Sequence, residues 1–360
     1  MKIVVDINHP SHVHFFKNFV WEMERKGHQI FMVVSGKDVA LELLNAYRFP
    51  FLNLRPYGDY IFQKMIRLPL TNLQAYNAVR PFSPDIFMGF GSIRASHVSW
   101  LMRKPCVIFD DDEYSYPYYR RFANTICVFS GFKLLSQKII RVPGYKELAY
   151  LHPNWFLPTF NLHTGDPVVL LRFVSWTAFH DTKQHGFSVS LKEKFIKELE
   201  KCSKVYITSE APLPGNLEKY RIRIKAEDMH RFLSGVTLLV CDSQTMTTEA
   251  ALMGIPAVRC NSFVGDNDMG NFIQLEQRYN LIFNYRNPEL AMKKAVELIK
   301  TPGLKTKWNE KRNLLLKEKI DVTAFMVWLV ENYPDSVTKI KASQDFEEWA
   351  VGSDNTLKGG

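Results

Sequence analysis

Short apolar runs alternate with amphipathic helical patterns along nearly the whole chain, and nothing else in the sequence constrains its fold as much. "KIVVDI" (2–7) reads as a buried strand. Residues 11–26 follow, with Phe15, Phe16, Phe19, Val20 and Met23 at helical spacing and Gly27 where that helix should stop. The next strand is 28–35 and the next helix 37–48; further strands are expected at 84–90, 105–111 and 124–130. A βαβα order of this kind buries a parallel sheet between two layers of helices.

The rhythm weakens over 141–167, where prolines 143, 153, 158 and 167 suit an irregular crossing between domains. It restarts with apolar runs at 168–175, 203–209, 237–243, 255–260 and 281–285. The expected architecture is therefore α/β, with two Rossmann-like, doubly wound domains facing a central cleft. The first domain spans 1–160 and the second 161–303. Residues 304–335 read as two helices that pack back toward the first domain, and 346–360 as a flexible polar tail. Doubly wound sheets take their ligands at the carboxyl ends of the strands, so residues at strand-to-helix turns are the candidates for chemistry.

Composition narrows the class. The 360 residues carry 46 lysines and arginines against 37 acids, a net charge of +9, which favours anionic partners. No apolar run is long enough to cross a bilayer, and "MKIVV" meets Asp6 too early for a signal peptide, so a cytoplasmic protein is expected. The five cysteines (106, 127, 202, 241, 260) are scattered singly, most within apolar runs, and read as buried reduced thiols. The cations are spread out, without a basic run interleaved with stacking aromatics, so no nucleic-acid partner is expected.

The strongest local pattern is "LLVCDSQTMTTEAALMGIPAVRC" (238–260). A strand ends at Asp242-Ser243, a helix begins near Thr245 and runs to Gly254, and another strand follows Pro256. The free amides of that helix start, with the hydroxyls of Ser243, Thr245 and Thr247, form an anion site, and Met246 lies in the same first turn. Glu249, one turn on, is placed to accept from ribose hydroxyls. A capped core helix with one surface glutamate fits the same letters equally well.

Four other stretches carry candidates. "DINHPSHVHFF" gathers His9, His12 and His14 just past the first strand. An acid/base imidazole, a zinc site and a plain polar loop all fit, although Pro10 interrupts the turn that would pair His9 with His12 on a metal. "VIFDDDEYS" crowds Asp110, Asp111, Asp112 and Glu113 at a strand end, where neighbouring carboxylates raise one another's pKa; a solvated loop is the alternative. "MGFGSIRAS" offers Gly91 in a tight turn and Ser92 as a helix cap, near an acceptor or the sugar. In "LLRFVSWTAFHDTKQHGF", Arg172 sits in an apolar strand and needs an anionic partner, either a diphosphate or a buried carboxylate, while His180, Asp181 and His185 follow it.

The "DS…EA…G.PA" pattern of 242–257 resembles the nucleotide-binding segment of GT-B sugar-nucleotide enzymes, a group of glycosyltransferases and non-hydrolysing UDP-GlcNAc 2-epimerases. Residues 1–335 as a whole resemble an uncharacterised bacterial and archaeal family of GT-B-like proteins, through "DINHPSHVHFFK", "FDDDEYS", "GYKELAYLHP", "LLRFVSWTAFHD" and "DSQTMTTEAALMG". The resemblance implies a GT-B fold, a diphosphate at Ser243 and Thr245, and a ribose at Glu249. Gln244 and Thr245 stand where the group usually has two glycines. "PSHVH" is similar to a Gly-Gly-His-Val-Phe stretch of inverting transferases, which implies that His12 is the catalytic base, with His9 second. "FDDDEYS" loosely resembles the His-Val-Glu-Ala-Gly segment of the epimerases, which implies a proton-transfer role for Glu113, while Asp112 is expected on the acceptor side with Gly91 and Ser92. The epimerases carry an Asp in the turn occupied here by Gly91-Ser92, which counts against epimerase chemistry. The GT-B pattern also brings the backbone near Met229 and His230 to the nucleotide base, and His180 to a phosphate or leaving group.

The resulting expectation is a glycosyltransferase that moves a sugar from a nucleotide-diphosphate donor, UDP-linked, to a glycan or lipid-linked acceptor in surface polysaccharide synthesis. It would need no cofactor and no metal, and its positive charge and the aromatics of "YSYPYY" suit the anionic inner face of a membrane. A sugar-nucleotide 2-epimerase is the alternative, and a non-catalytic nucleotide or nucleic-acid binder the third reading.

Overall fold

A computed structural model describes residues 1–35, 38–54, 61–158, 162, 165–173, 189–209, 212–265 and 268–343 of the chain. They form two compact units, one of Met1–Trp155 with Glu318–Gly360 and one of Phe156–Lys317. The tail expected at 346–360 lies outside the described residues.

In the first unit, β1 (Lys2–Ile7) leads through α1 (Pro10–Arg25) to β2 (Gln29–Val34), then α2 (Asp38–Ala46), β3 (Phe51–Asn53) and α3 (Ile61–Val79). β4 (Ile86–Phe90), α4 (Ile93–Leu101), β5 (Cys106–Asp110), α5 (Tyr116–Tyr119), β6 (Thr125–Val128), β7 (Ile139–Arg141) and α6 (Leu148–Leu151) complete its N-terminal part. The seven strands are all parallel in the order β3-β2-β1-β4-β5-β6-β7. Burial on both faces explains why β1, β4 and β5 are nearly unbroken apolar runs rather than alternating ones. α1 buries Phe15, Phe16, Phe19, Val20 and Met23, the stripe its sequence spacing announced. Each such ring contributes about 2 kcal/mol of transfer free energy.

The second unit holds β8 (Val168–Phe173), α7 (Val189–Leu199), β9 (Lys204–Ser209), α8 (Met229–Ser234), β10 (Leu238–Cys241) and α9 (Gln244–Met253). β11 (Ala257–Cys260), α10 (Gly270–Gln277), β12 (Ile282–Tyr285), α11 (Pro288–Ile299) and α12 (Leu304–Glu318) follow. Its five parallel strands run in the order β12-β11-β10-β8-β9. Asn287 caps α11 by accepting from the amides of Glu289 and Leu290, with Pro288 in its first turn.

The chain returns to the first unit later than the boundary at 303 anticipates. α12 stays with the second unit: Trp308 Nε1 donates to the Leu281 carbonyl at 2.7 Å and Arg312 Nε to the Leu252 carbonyl at 2.6 Å. The latter bond satisfies a carbonyl that the end of α9 leaves orphaned. Gly254 ends α9 with φ +76°, and a Cβ there would lie 2.7 Å from Asn309 Oδ1 of α12, so only glycine suits both the backbone and the contact. α13 (Val322–Glu331) and α14 (Asp335–Ala342) belong to the first unit. Asp321 caps α13 through the Ala324 amide and also accepts from Asn154 Nδ2 and Trp155 Nε1, each at 2.8 Å. Four of the five cysteines are buried, Cys202 is partly exposed, and none is in a disulfide.

Candidate functional site

Each sheet reverses its winding once, in the first unit between β1 and β4 and in the second between β8 and β10. Helices leave in opposite directions at such a point, so the carboxyl ends of the two strands stand open to a ligand. Nearly all the described candidates lie at these two places or beside them.

In the first unit, Asp6, next to the last residue of β1, stands opposite Gly89 of β4. Arg94, at the start of α4, donates to Asp6 through Nε (3.0 Å) and Nη2 (2.5 Å), and also to Ser35 Oγ. Both partners are 1% exposed. Ser92 Oγ donates to Asp6 Oδ2 at 2.7 Å and accepts from the Ala95 amide at 3.0 Å. Ser92 is therefore corrected from acceptor-side residue to scaffold, because its hydroxyl is fully buried and used twice. Gly91 turns the chain with φ +50°, which a side chain would strain.

The three histidines of the opening stretch separate into three environments. His9 caps α1, its Nδ1 accepting from the Ser11 amide at 3.2 Å and lying 2.7 Å from Ser11 Oγ. His14 is buried, 3.3 Å from the Tyr47 hydroxyl and packed on Tyr150. His12 packs on the Phe90 ring at 5.0 Å, and its Nδ1 is buried without a hydrogen-bond partner among the described residues. Burial, then His9, then Lys146 push the His12 pKa well below the usual range, so the imidazole is neutral at neutral pH. Among the described residues no histidine belongs to a group able to share a metal ion.

Around the same Phe90 ring, the structure collects segments far apart in sequence. Lys146 Nζ lies 5.4 Å from the ring centre and 2.5 Å from Asp111 Oδ2. Burial pulls the Lys146 pKa down, but Asp111 and Glu147 outweigh it and the net shift is upward. Asp110 accepts from the Tyr119 hydroxyl at 2.6 Å and from the Asp111 amide at 2.9 Å. Burial and the neighbouring Asp112 nevertheless raise its pKa. Asp112 accepts from the Tyr114 amide at 2.8 Å, and Glu113 from the Lys133 amide at 2.5 Å. Oxygens of Asp110, Asp111 and Asp112 lie within 4.8 Å of one another, a spacing that suits a cation, and Lys146 already supplies positive charge to the group.

In the second unit, Arg172 of β8 stands opposite Cys241 of β10, and the Asp242 amide donates to the Arg172 carbonyl at 3.3 Å. Ser243 caps α9, its Oγ accepting from the Met246 amide at 3.4 Å. Gln244 and Thr245 remain partly exposed there, and no acid stands in the first turn to compete with an anion. Two expectations change here. Thr247 does not face an anion: it is fully buried and its hydroxyl donates to the Ser243 carbonyl at 2.6 Å. Met246 is buried as well, at 7% exposure, so only its amide serves the turn.

Glu249 is not a surface residue. It is 4% exposed and lies 2.9 Å from Nε2 of His230, itself 5% exposed. The pair joins α9 to α8, two segments that sequence reasoning treats separately, and Met229 at the head of α8 stays partly exposed. His180, Asp181 and His185 lie outside the described residues.

Sequence reasoning missed Arg94, Lys146 and Lys192. Lys192 of α7 stands 4.3 Å from the Phe173 ring at the end of β8; burial lowers its pKa and Asp242 opposes that. Arg94 and Lys146 lay inside quoted motifs, and a cation within an otherwise apolar or small-residue stretch was the available signal. Lys192 sits in an ordinary charged helix and gave none.

No protein-family model and no curated protein sequence matches the chain. Solved structures do. The S. aureus MnaA structure with UDP superposes with a TM-score of 0.66 at 13% identity, over 94% of this chain and 98% of that one. A UDP-GlcNAc 2-epimerase from Neisseria meningitidis, bound to UDP-GlcNAc, gives 0.61 at 12% identity over 88% and 99%. MurG from Acinetobacter baumannii gives 0.58 at 14% identity over 92% and 99%. The chain has the GT-B fold, which epimerases and glycosyltransferases share.

Proposed function

We propose that this protein is a sugar-nucleotide enzyme of the glycosyltransferase type. The observation that carries the reading is the opening of α9: capped by Ser243, free of acids, open at Gln244 and Thr245, and beside Arg172 at the switch point of the second sheet. Amides at a helix start together with an arginine suit the diphosphate of a donor, most simply a UDP-sugar. Glu249 and His230 then form the polar floor under the ribose and base. The acceptor, a glycan or lipid-linked sugar of surface polysaccharide synthesis, is assigned to the first unit.

His12 is the base. Its neutral imidazole takes the proton from the acceptor hydroxyl as that oxygen bonds to the anomeric carbon. The bond from that carbon to the diphosphate oxygen breaks, and the nucleoside diphosphate leaves with the electron pair, its charge met by Arg172 and the α9 amides. No step calls for a metal or a cofactor. The third reading, a nucleotide or nucleic-acid binder without catalysis, has no observation in its favour.

The second reading is a sugar-nucleotide 2-epimerase. What favours it is the fold comparison, in which the Neisseria meningitidis UDP-GlcNAc 2-epimerase gives a TM-score of 0.61. Against it stands Gly91-Ser92 in the turn where those enzymes carry an Asp. Incubation with UDP-GlcNAc alone separates the two: a new UDP-sugar marks an epimerase, whereas UDP release that requires an added acceptor marks a transferase. A thermal-shift screen of nucleotide sugars locates the donor. A ligand at a hundred times its Kd stabilises by about 2.7 kcal/mol, and Arg172→Ala should lose most of that shift. A wild-type protein stabilised by no nucleotide or nucleotide sugar would overturn the proposal.

A further inference from the structure

The outer face of the α3–α4–α5 layer is unlike the rest of the first unit. Leu70 and Leu73 on α3 are 58% and 54% exposed, Trp100 and Leu101 on α4 59% and 51%, and Tyr118 on α5 57%. Single exposed apolar residues are ordinary, but a contiguous set is not. The three helices are joined by short contacts centred on the His97 side chain. Asn72 Nδ2 lies 3.1 Å from His97 Nδ1, and His97 Nε2 lies 3.2 Å from the Tyr118 carbonyl. The His97 and Trp100 rings both pack on Phe122, at 4.4 and 5.6 Å.

The charge around this face is mostly positive, with Asp112, beside Tyr114, the exposed acid next to α5. Arg67, Arg103, Arg120 and Arg121 are exposed around the apolar residues, and none has an acidic partner among the described residues. Between residues 61 and 109 the chain contains one acid, Asp85, and between 114 and 146 none. Asp85 accepts from the Lys2 amide. A helix layer facing only water gains nothing from excluding acids, and a second copy of the same face would meet it with like charge.

The geometry points to this face as a docking surface for an anionic phospholipid bilayer. Trp100 and Tyr118 sit at the headgroup level, Leu70, Leu73 and Leu101 enter the acyl boundary, and the arginines meet the phosphates. Among the described residues no helix is long and apolar enough to span a membrane, so the attachment is peripheral and reversible. The inference names a partner beyond the proposed chemistry, and vesicle binding is measured without turnover, so the two fail independently.

The test is co-sedimentation of the full chain with phosphatidylcholine vesicles, with and without phosphatidylglycerol. Binding should require the anionic lipid and fall more than tenfold when salt rises from about 0.05 to 0.5 M, where the Debye length shrinks to a few ångströms. Trp100→Ser with Leu101→Ser should bind at least tenfold more weakly at low salt, and Arg103→Gln with Arg120→Gln should lose most of the salt-sensitive part. These side chains are exposed, so melting temperatures should match wild type; should one pair fold poorly, the other still decides. Absence of binding to anionic vesicles at low salt overturns the inference, as does equal binding by wild type and both variants. A wild-type dimer that Leu70→Glu with Trp100→Glu converts to a monomer would assign the face to a second copy instead, and overturns it too.

Discussion

Removing Arg94 should do more damage than removing any surface cation. In Arg94→Met the aliphatic stem keeps its packing while the guanidinium disappears from Asp6, Ser35 and Asn8. Asp6, 1% exposed, is left with the Ser92 hydroxyl as its remaining donor at 2.7 Å. Stranding one member of a buried ion pair costs about 3–5 kcal/mol, because the surviving charge cannot recover its hydration. A loss of that size is a large part of a typical domain's stability and lowers its melting temperature by about 10 °C. Equilibrium urea unfolding measures it, and hydrogen exchange at β1 and β4 amides attributes it to the first unit. Asp6→Asn in the Arg94→Met background removes the stranded charge and should recover more than half the loss. The reasoning fails if Arg94→Met costs less than about 1 kcal/mol, or if the double variant is no more stable than the single one.

Two further outcomes follow from local geometry. Gly254→Ala should destabilise the second unit by about 2 kcal/mol, combining a left-handed backbone with a Cβ 2.7 Å from Asn309 Oδ1. Adding Asn309→Ala relieves the contact and should return about half of that in urea unfolding. His12 excludes its proton in the folded state, so below its unfolded pKa of about 6.5 the unfolded chain binds a proton that the native one does not, and stability falls as pH falls. Melting curves of wild type and His12→Gln should therefore run parallel above pH about 7 and diverge below 6, wild type losing more. Histidine NMR titration of Lys146→Met should show the His12 pKa moved upward.

The level at which the sequence could be read follows from the range of the forces involved. Strand and helix identity, the parallel α/β class and the places where strands hand over to helices depend on periodicity and turn chemistry within a few residues. β1, α1, β10, α9 and Gly254 stood out for that reason. The three-residue strands β3 and β7 did not, because so short a run carries no period of its own. Helix α14 was missed as well, since an eight-residue polar segment without a side-chain cap resembles a loop.

What each functional side chain does was decided only by tertiary packing. Letters alone could not tell that Thr247 turns inward, that Ser92 supports Asp6, or that Glu249 meets His230 rather than water. Nor could they show that His12 and Lys146 meet at one phenylalanine while Lys146 pairs with Asp111, since these residues come from three separate segments whose proximity exists only once the sheet has assembled. Local sequence set which elements form and where they end. Burial, the pairing of distant charges and hence the protonation of the candidate site belong to the folded sheet, because a dielectric environment is a property of the surroundings and not of the residue.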